Sequence, residues 1–287
     1  NRKLKILYGD ITDFDTVLRA IKGCDYVFNL AASISVPYSF KNPQTFIDTN
    51  ILGALNVFRA SSLYKKKIKK IIQISSSEVY GNNLTKDKNI LTEETITISE
   101  SPYAATKIAS DNLAISMHKA SELPILVARP FNTFGPRQSL RAVIPTIISQ
   151  FVLKKKKILI GNLHTSRDFN YVEDTCLGFI CAMKSKYKSG EVFNLSSEKD
   201  YKILDIINLL KKITGHNPYI VIDKKRIRPK KSEVTRLIGS SSLARKNLKW
   251  RPKFSNNRGL LLSLSKTYEW FKENIEVYNK NSNKYNL

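Results

Sequence analysis

Lys70-Ile71-Ile72-Gln73-Ile74 runs straight into Ser75-Ser76-Ser77-Glu78-Val79-Tyr80-Gly81, and after a polar stretch the chain reads Tyr103-Ala104-Ala105-Thr106-Lys107. The short apolar run predicts a buried strand. The Ser/Glu cluster then sits at the strand's carboxyl end, where open α/β sheets hold their ligands. Tyr103 and Lys107 are four apart in a segment with helical spacing, so they share one helix face.

That pairing has a definite chemistry. A phenol titrates near 10 and is a poor base at neutral pH. A lysine ammonium one turn away is expected to favour the phenolate and lower that value. With a serine hydroxyl facing the same point, the group can take a proton from an alcohol as hydride leaves its carbon. Glu78 adds a carboxylate able to remove a proton next to a carbonyl. Each piece alone is ordinary, since Tyr-x-x-x-Lys occurs on many surface helices and serine runs fill many loops. The conjunction of strand, Ser/Glu cluster, Val-Tyr-Gly and helix-opening Tyr-x-x-x-Lys is specific.

Outward from this stretch, strands and helices alternate. Lys3 to Tyr8 reads as a strand ending at Gly9-Asp10-Ile11-Thr12-Asp13, with a helix from Phe14 to Ile21. Tyr26 to Leu30 is the next strand, and Ala31-Ala32-Ser33 after it lets backbone approach a flat ligand. A helix from Pro43 places Ile47, Ile51, Leu55 and Phe58 on one face, with Asn50 an inward polar group or a plain surface residue. Leu123 to Phe131 is a strand leading into Asn132-Thr133-Phe134-Gly135-Pro136-Arg137. The alternation predicts an α/β fold with a doubly wound parallel sheet. Later come a helix over Val143 to Leu153, a short strand over Lys157 to Ile160 and a helix from Thr175. Val192 to Leu195 is a last sheet strand. The remaining elements are a helix over Ile203 to Ile213, a strand over Tyr219 to Ile222, and helices over Ser242 to Leu248 and Leu260 to Asn274. Residues 1–132 and 163–198 form the expected dinucleotide-binding core. Residues 133–162 and 199–287 form a smaller substrate domain, with a polar, disordered tail from Tyr278.

With 287 residues the chain is long enough for one large or two modest cores. Hydrophobic content of 42% and no apolar run of bilayer length fit a soluble globular chain without a membrane segment. Cys24, Cys176 and Cys181 lack metal spacing and fit a reducing cytoplasm; His118, His164 and His216 are scattered, so no metal is expected. The net charge of +24 raises nucleic acid as a partner. The lysine runs at 65–67 and 154–157 lie between elements and read as solvated faces, with no aromatic residues interleaved for bases. A basic surface also suits an anionic small substrate. No G-x-x-G-x-x-G turn occurs in the chain, although a dinucleotide site needs one after its first strand. The chain therefore reads as a fragment that has lost its first strand, glycine loop and next βα unit.

At these residues the chain resembles the extended short-chain dehydrogenase/reductase family, a Rossmann-type family, and within it the NAD-dependent nucleotide-sugar 4,6-dehydratases. The likeness runs from Gly9-Asp10 to Trp270. It rests on Leu30-Ala31-Ala32, Ser77 to Gly81, Tyr103-x-x-x-Lys107, Arg129 to Arg137 and Arg167-Asp168-Phe169-Asn170-Tyr171-Val172. The run from Gln138 to Gln150 is similar to enzymes acting on nucleotide-linked N-acetylglucosamine in legionaminic-acid-type pathways.

The resemblance implies roles. NAD would meet Asp10 and Ile11 at its adenine and Leu30, Ala31, Ala32, Asn50, Ser75 and Pro130 along its cleft. Tyr103 would be the base for the sugar C4 hydroxyl, with Lys107 on the nicotinamide ribose and Ser76 on the same oxygen. Glu78 would remove the C5 proton. Asn132, Arg141, Val143, Arg167, Asn194 and Arg228 would hold the sugar nucleotide, Arg228 through the diphosphate. Ser77 stands where many such dehydratases carry Asp, so the acid at C6 is Ser77, a water it holds, or Glu78. Family members pair as dimers through two helices per subunit, here those starting at Pro43 and Tyr103. The rival readings are a nucleotide-sugar C4 epimerase or uronate decarboxylase, and a catalytically silent Rossmann-type binding protein.

Overall fold

The computed structural model describes residues 4–83, 90–187, 190–227 and 232–279. Helix α1 (Phe14–Ile21) starts at Asp13, whose carboxylate accepts from the Asp15 amide. Strand β1 (Tyr26–Asn29) follows, then short α2 (Val36–Lys41) and α3 (Pro43–Ile47). A π-helical turn, Asp48–Leu52, leads into α4 (Gly53–Leu63). Strand β2 (Lys70–Ile74) and a 3-10 turn (Ser77–Tyr80) carry the serine cluster. Helix α5 (Pro102–Ser121) carries Tyr103 and Lys107. Strands β3 (Ile125–Pro130) and β4 (Asn132–Phe134) precede α6 (Val143–Val152), β5 (Lys157–Ile160), β6 (Ser166–Tyr171) and α7 (Val172–Lys184). The rest is β7 (Val192–Leu195), β8 (Asp200–Lys202), α8 (Ile203–Thr214), β9 (Tyr219–Ile222), β10 (Arg236–Leu237) and α9 (Asn257–Asn279).

The main sheet is parallel, in the order β1-β2-β3-β7. Its central strands β2 and β3 are buried on both faces, as continuous apolar runs require, while the edge strand β1 is partly exposed. Ile71, Ile125 and Val127 pack against Val17, Val57, Phe58 and Ala114 of α1, α4 and α5. Ile72, Leu126 and Ala128 point the other way, onto Phe179 and Ala182 of α7 and onto Trp250. Each fully buried side chain of this size contributes about 1.5–3 kcal/mol. This two-sided cover is the doubly wound α/β arrangement that the alternating pattern predicts. A second core gathers Ile144, Ile147, Phe151, Ile158, Phe169, Ile207 and Leu264 around α6, α8 and α9. Small sheets β10-β6-β4 and β5-β9 flank it, with β8 antiparallel to β6. No helix among the described residues is long and apolar enough to cross a membrane.

Three sequence expectations change. Leu4 to Asp10 form no strand, and Tyr8 is 95% exposed. A strand persists where a neighbour takes its N–H and C=O groups, and no described strand lies beside this segment. The helix from Pro43 turns a neighbouring face inward and keeps only Phe58 of the expected stripe buried. Ile47 is exposed and Ile51 and Leu55 half-buried, whereas Asn50, Gly53, Ala54, Val57 and Phe58 are buried. The π turn adds a residue to one helical turn and rotates the face, swinging Asn50 inside. Gly53 fits there because Ile11 presses on it; a Cβ would meet Ile11 Cγ2 at 2.6 Å. Finally, α9 continues to Asn279, because Tyr278 packs on Trp270 and Phe271 with ring centroids 6.0 and 5.2 Å away. The polar residues after it lie outside the described ones.

Candidate active site

Strand β2 delivers Ser75 to the carboxyl edge of the sheet, where its amide donates to the Ala128 carbonyl at 2.8 Å. Ser76 then caps the 3-10 turn, its hydroxyl accepting from the Glu78 amide at 3.2 Å. Gly81 ends the turn with φ +57°, and a Cβ there would stand 2.4 Å from the Ile98 carbonyl oxygen. The turn is thereby locked, which fixes Ser77 and Glu78 although both lie beyond the strand. Helix α5 starts with Ser101 accepting from the Ala104 amide at 3.1 Å and Pro102 in the first turn. Tyr103 is thus held in the first turn of a long helix, its ring edge-on to Phe46 at 6.2 Å.

These elements enclose a cleft of about 470 Å³. Ser75, Ser76, Ser77, Glu78, Tyr103 and Pro130 form one wall. Asn132, Arg141, Val143 and Arg167 line it from the side of the second core. Catalytic and substrate-side candidates from distant parts of the chain therefore meet in one cavity. Lys107 lies just behind Tyr103, buried, with Nζ donating to the Ile74 carbonyl at 2.8 Å. The parallel register of β1 on β2, with Asn29 opposite Gln73, sets Leu30, Ala31 and Ala32 beside Ser75. Asn50 accepts from the Ser33 amide at 2.8 Å and donates to Thr106 at 3.0 Å, joining that loop to α5. Asp10 accepts from both the amide and the hydroxyl of Thr12 at 2.8 Å, which holds its carboxyl below the ordinary value.

The electrostatics differ from the simple pairing in one respect. Burial pushes the Tyr103 phenol up to about 12, against the Ser76 hydrogen bond that holds it down. Lys107 does not offset this, since its ammonium turns to Ile74 and burial brings it down to about 8. Against the expectation that Lys107 lowers it, the Tyr103 phenol therefore stands above its ordinary value, with desolvation the largest cause.

Asn194 is likewise corrected. It is fully buried, accepting from the Tyr80 hydroxyl at 2.7 Å and donating to the Leu91 carbonyl at 3.3 Å, and does not line the cleft. Arg228 lies outside the described residues. Arg226, two positions earlier, lines the cleft and pairs with Asp223 at 3.0 Å. The sequence hides it within a basic run. Asn132 Oδ1 and Gln138 Oε1 are buried with no hydrogen-bond partner among the described residues, and both residues line the cleft. Such acceptors are open to a donor on a bound molecule.

Known proteins share this sequence pattern and fold. A profile of the GDP-mannose 4,6 dehydratase family matches residues 1–261. GDP-6-deoxy-D-mannose reductase of Pseudomonas aeruginosa is 30% identical over 84% of this chain and 79% of its own. dTDP-D-glucose 4,6-dehydratase of Bos taurus is 28% identical over 98% of this chain and 77% of its own. Among solved structures, UDP-glucuronic acid 4-epimerase from Bacillus cereus, in complex with UDP-glucuronic acid and NAD, superposes with a TM-score of 0.85. It is 28% identical and covers 95% of this chain and 83% of its own.

Proposed function

The chain belongs to the GDP-mannose 4,6 dehydratase family, and from that premise we propose that it dehydrates a nucleotide-activated N-acetylhexosamine to the 4-keto-6-deoxy sugar, with NAD as cofactor. The observation that carries this reading is Glu78. Its carboxylate lines the same cleft as Ser76 and Tyr103 and is only 8% exposed. An alcohol oxidation needs no such carboxylate; loss of water across C5 and C6 does.

The residues fit the nicotinamide end of the cofactor. Tyr103 and Lys107 sit one helical turn apart, Ser75 and Pro130 bound the cleft beside them, and the small side chains of Ala31 and Ala32 leave the neighbouring strand end open. The glycine turn that would cradle a pyrophosphate is not in the sequence. When bound, NAD accepts a hydride and its nicotinium charge favours the phenolate.

Tyr103 takes the proton of the C4 hydroxyl, and Ser76 holds its oxygen in line. A C4 ketone makes the C5 proton acidic, and Glu78 removes it as the C6 oxygen leaves. Ser77, also facing the cleft, holds that leaving oxygen, which departs as water with a proton from Ser77, a water it holds, or Glu78; the hydride lost from C4 would then return to C6 with a proton at C5, giving the 6-deoxy sugar. Arg167 and Arg226 supply the positive charge for a diphosphate. The cell compartment consistent with this chemistry is the cytoplasm.

Incubation with NAD and nucleoside-diphosphate N-acetylglucosamine should yield a product lighter by one water, read by mass spectrometry. A second reading, a C4 epimerase or uronate decarboxylase, is favoured by Ser77, which brings no carboxylic acid to the C6 oxygen, and by the likeness to UDP-glucuronic acid 4-epimerase. An isomer of unchanged mass, or loss of carbon dioxide from a uronic acid, would move the assignment there.

The outward apolar side chains Phe40 on α2, Ile47 on α3 and Leu52 on the π turn support pairing of two copies on the side of the helix that starts at Pro43, with the helix that starts at Tyr103 as the second expected element. Sedimentation should show a dimer, and Ile47→Glu should shift it to monomer with unchanged circular dichroism. A monomeric parent chain would rule the pairing out.

A further inference from the structure

Asp111 lies one helical turn beyond Lys107 and two beyond Tyr103, so three ionisable side chains run down one buried face of α5. The Asp111 side chain is 1% exposed. Its Oδ2 accepts from the Ser75 hydroxyl at 2.7 Å and from Arg129 Nε at 3.0 Å. Its Oδ1 is buried with no hydrogen-bond partner among the described residues. Arg129 also donates from Nη1 to the Tyr80 hydroxyl at 3.0 Å, and Tyr80 closes the turn that carries Glu78. One buried carboxylate thus serves two buried cations, Arg129 directly and Lys107 through space.

We propose that Asp111 is a positioning residue: its carboxylate is the counter-charge that keeps the buried Lys107 ammonium ionised, and through Ser75, Arg129 and Tyr80 it ties the Ser76/Glu78 turn to the Tyr103 helix. A buried ammonium without a counter-charge loses its proton rather than stay charged in a poor solvent. Lys107 has a neutral carbonyl as its hydrogen-bond acceptor. The elements packed on α5 carry Tyr38 and Lys41 on α2, Asp48 on the π turn, Arg59 on α4, Arg129 on β3, and Glu78 and Tyr80 on the 3-10 turn. Asp48 is occupied by Gln44, and Arg59 lies over Phe14. Burial brings Lys107 down, and Asp111 is the charge that acts on it in the other direction. Burial pushes the Asp111 carboxyl above its ordinary value against the Arg129 guanidinium and the Ser75 hydroxyl, and the 3.0 Å contact with Arg129 has the geometry of an ion pair with Asp111 as its anion.

The proposal deepens the catalytic reading of Tyr103 and Lys107, yet its test needs no turnover, so the two can fail separately. The chain is labelled with 13C at the lysine ε-carbons and the aspartate carboxyls. Lys107 is assigned by the signal lost in Lys107→Gln, and Asp111 by the signal lost in Asp111→Asn or Asp111→Glu. Asp111→Asn should lower the Lys107 midpoint by about one pH unit, the low end of what an opposite charge gives. Asp111→Glu, which keeps the charge, should leave it near the parent value. A carboxylate with a purely structural role would lower the melting temperature in both variants and leave the midpoint where it was in Asp111→Asn, which overturns the proposal. The unmodified protein supplies a reading that depends on neither variant. The Asp111 carboxyl carbon should show an inflection at the Lys107 midpoint, and its absence also overturns the proposal.

Discussion

Glu78→Gln is expected to keep the fold and the C4 oxidation while slowing water loss by about 100-fold or more, the usual scale for removing a general base. The amide matches the carboxylate in shape, so the buried position is filled as before. The hydrogen bond from the Glu78 backbone amide to Ser76, which shapes the turn, does not involve the side chain. What is lost is basicity at the cleft wall. With the C5 proton retained, the oxidised sugar keeps its C6 hydroxyl. Trapping with borodeuteride should then label C4 of a sugar of unchanged oxygen content, read by mass spectrometry beside the parent chain's 4-keto-6-deoxy product. Full water loss in Glu78→Gln would place the base elsewhere. Loss of C4 oxidation as well would mean that Glu78 also orders the Tyr103 side of the cleft.

The parts of this site that the sequence reveals are those set by local rules. A continuous apolar run gives β2, a locked glycine turn follows it, and i,i+4 spacing on a capped helix aligns Tyr103 with Lys107. Each rule acts within about a dozen residues, so each survives without knowledge of the rest of the fold. The misreadings come from tertiary context. The apolar stripe Ile47/Ile51/Leu55/Phe58 looks like a core face, and Phe58 is indeed buried, but the π turn at Asp48–Leu52 rotates the helix and brings Asn50 and Gly53 inside in place of the others. Periodicity cannot register one added residue in a turn. Asn194 sits on β7 at the ligand end of the sheet, yet Tyr80 and Leu91 cover it. Asp111 and Arg129 are 18 residues apart, and nothing in the Arg129–Arg137 run points to Asp111. Their link is visible only once α5 packs across β3. A buried carboxylate at i+4 from a catalytic-type lysine is the signal that would have pointed to Asp111.

Tyr103→Phe should abolish product formation more completely than Glu78→Gln, because it acts on the first step. The variant keeps the ring that packs edge-on against Phe46 and removes only the hydroxyl that Ser76 holds. The hydrogen bond lost is worth about 1 kcal/mol, so the melting temperature should stay near that of the parent chain. The catalytic cost is far larger. Without the phenol oxygen, the C4 hydroxyl has no partner to take its proton as hydride departs. General-base loss of this kind is worth about 100- to 10,000-fold in rate. No other side chain substitutes: Ser76 is far too weak a base at neutral pH, and Lys107 points its Nζ at Ile74. Glu78 faces the same cleft but is assigned to the neighbouring carbon. The two variants therefore separate the two proton transfers. Borodeuteride should trap a 4-keto sugar from Glu78→Gln and none from Tyr103→Phe. A trapped ketone in Tyr103→Phe at the parent rate would show that C4 is oxidised without this phenol, and the assignment of the helix-opening Tyr103/Lys107 pair would fall with it.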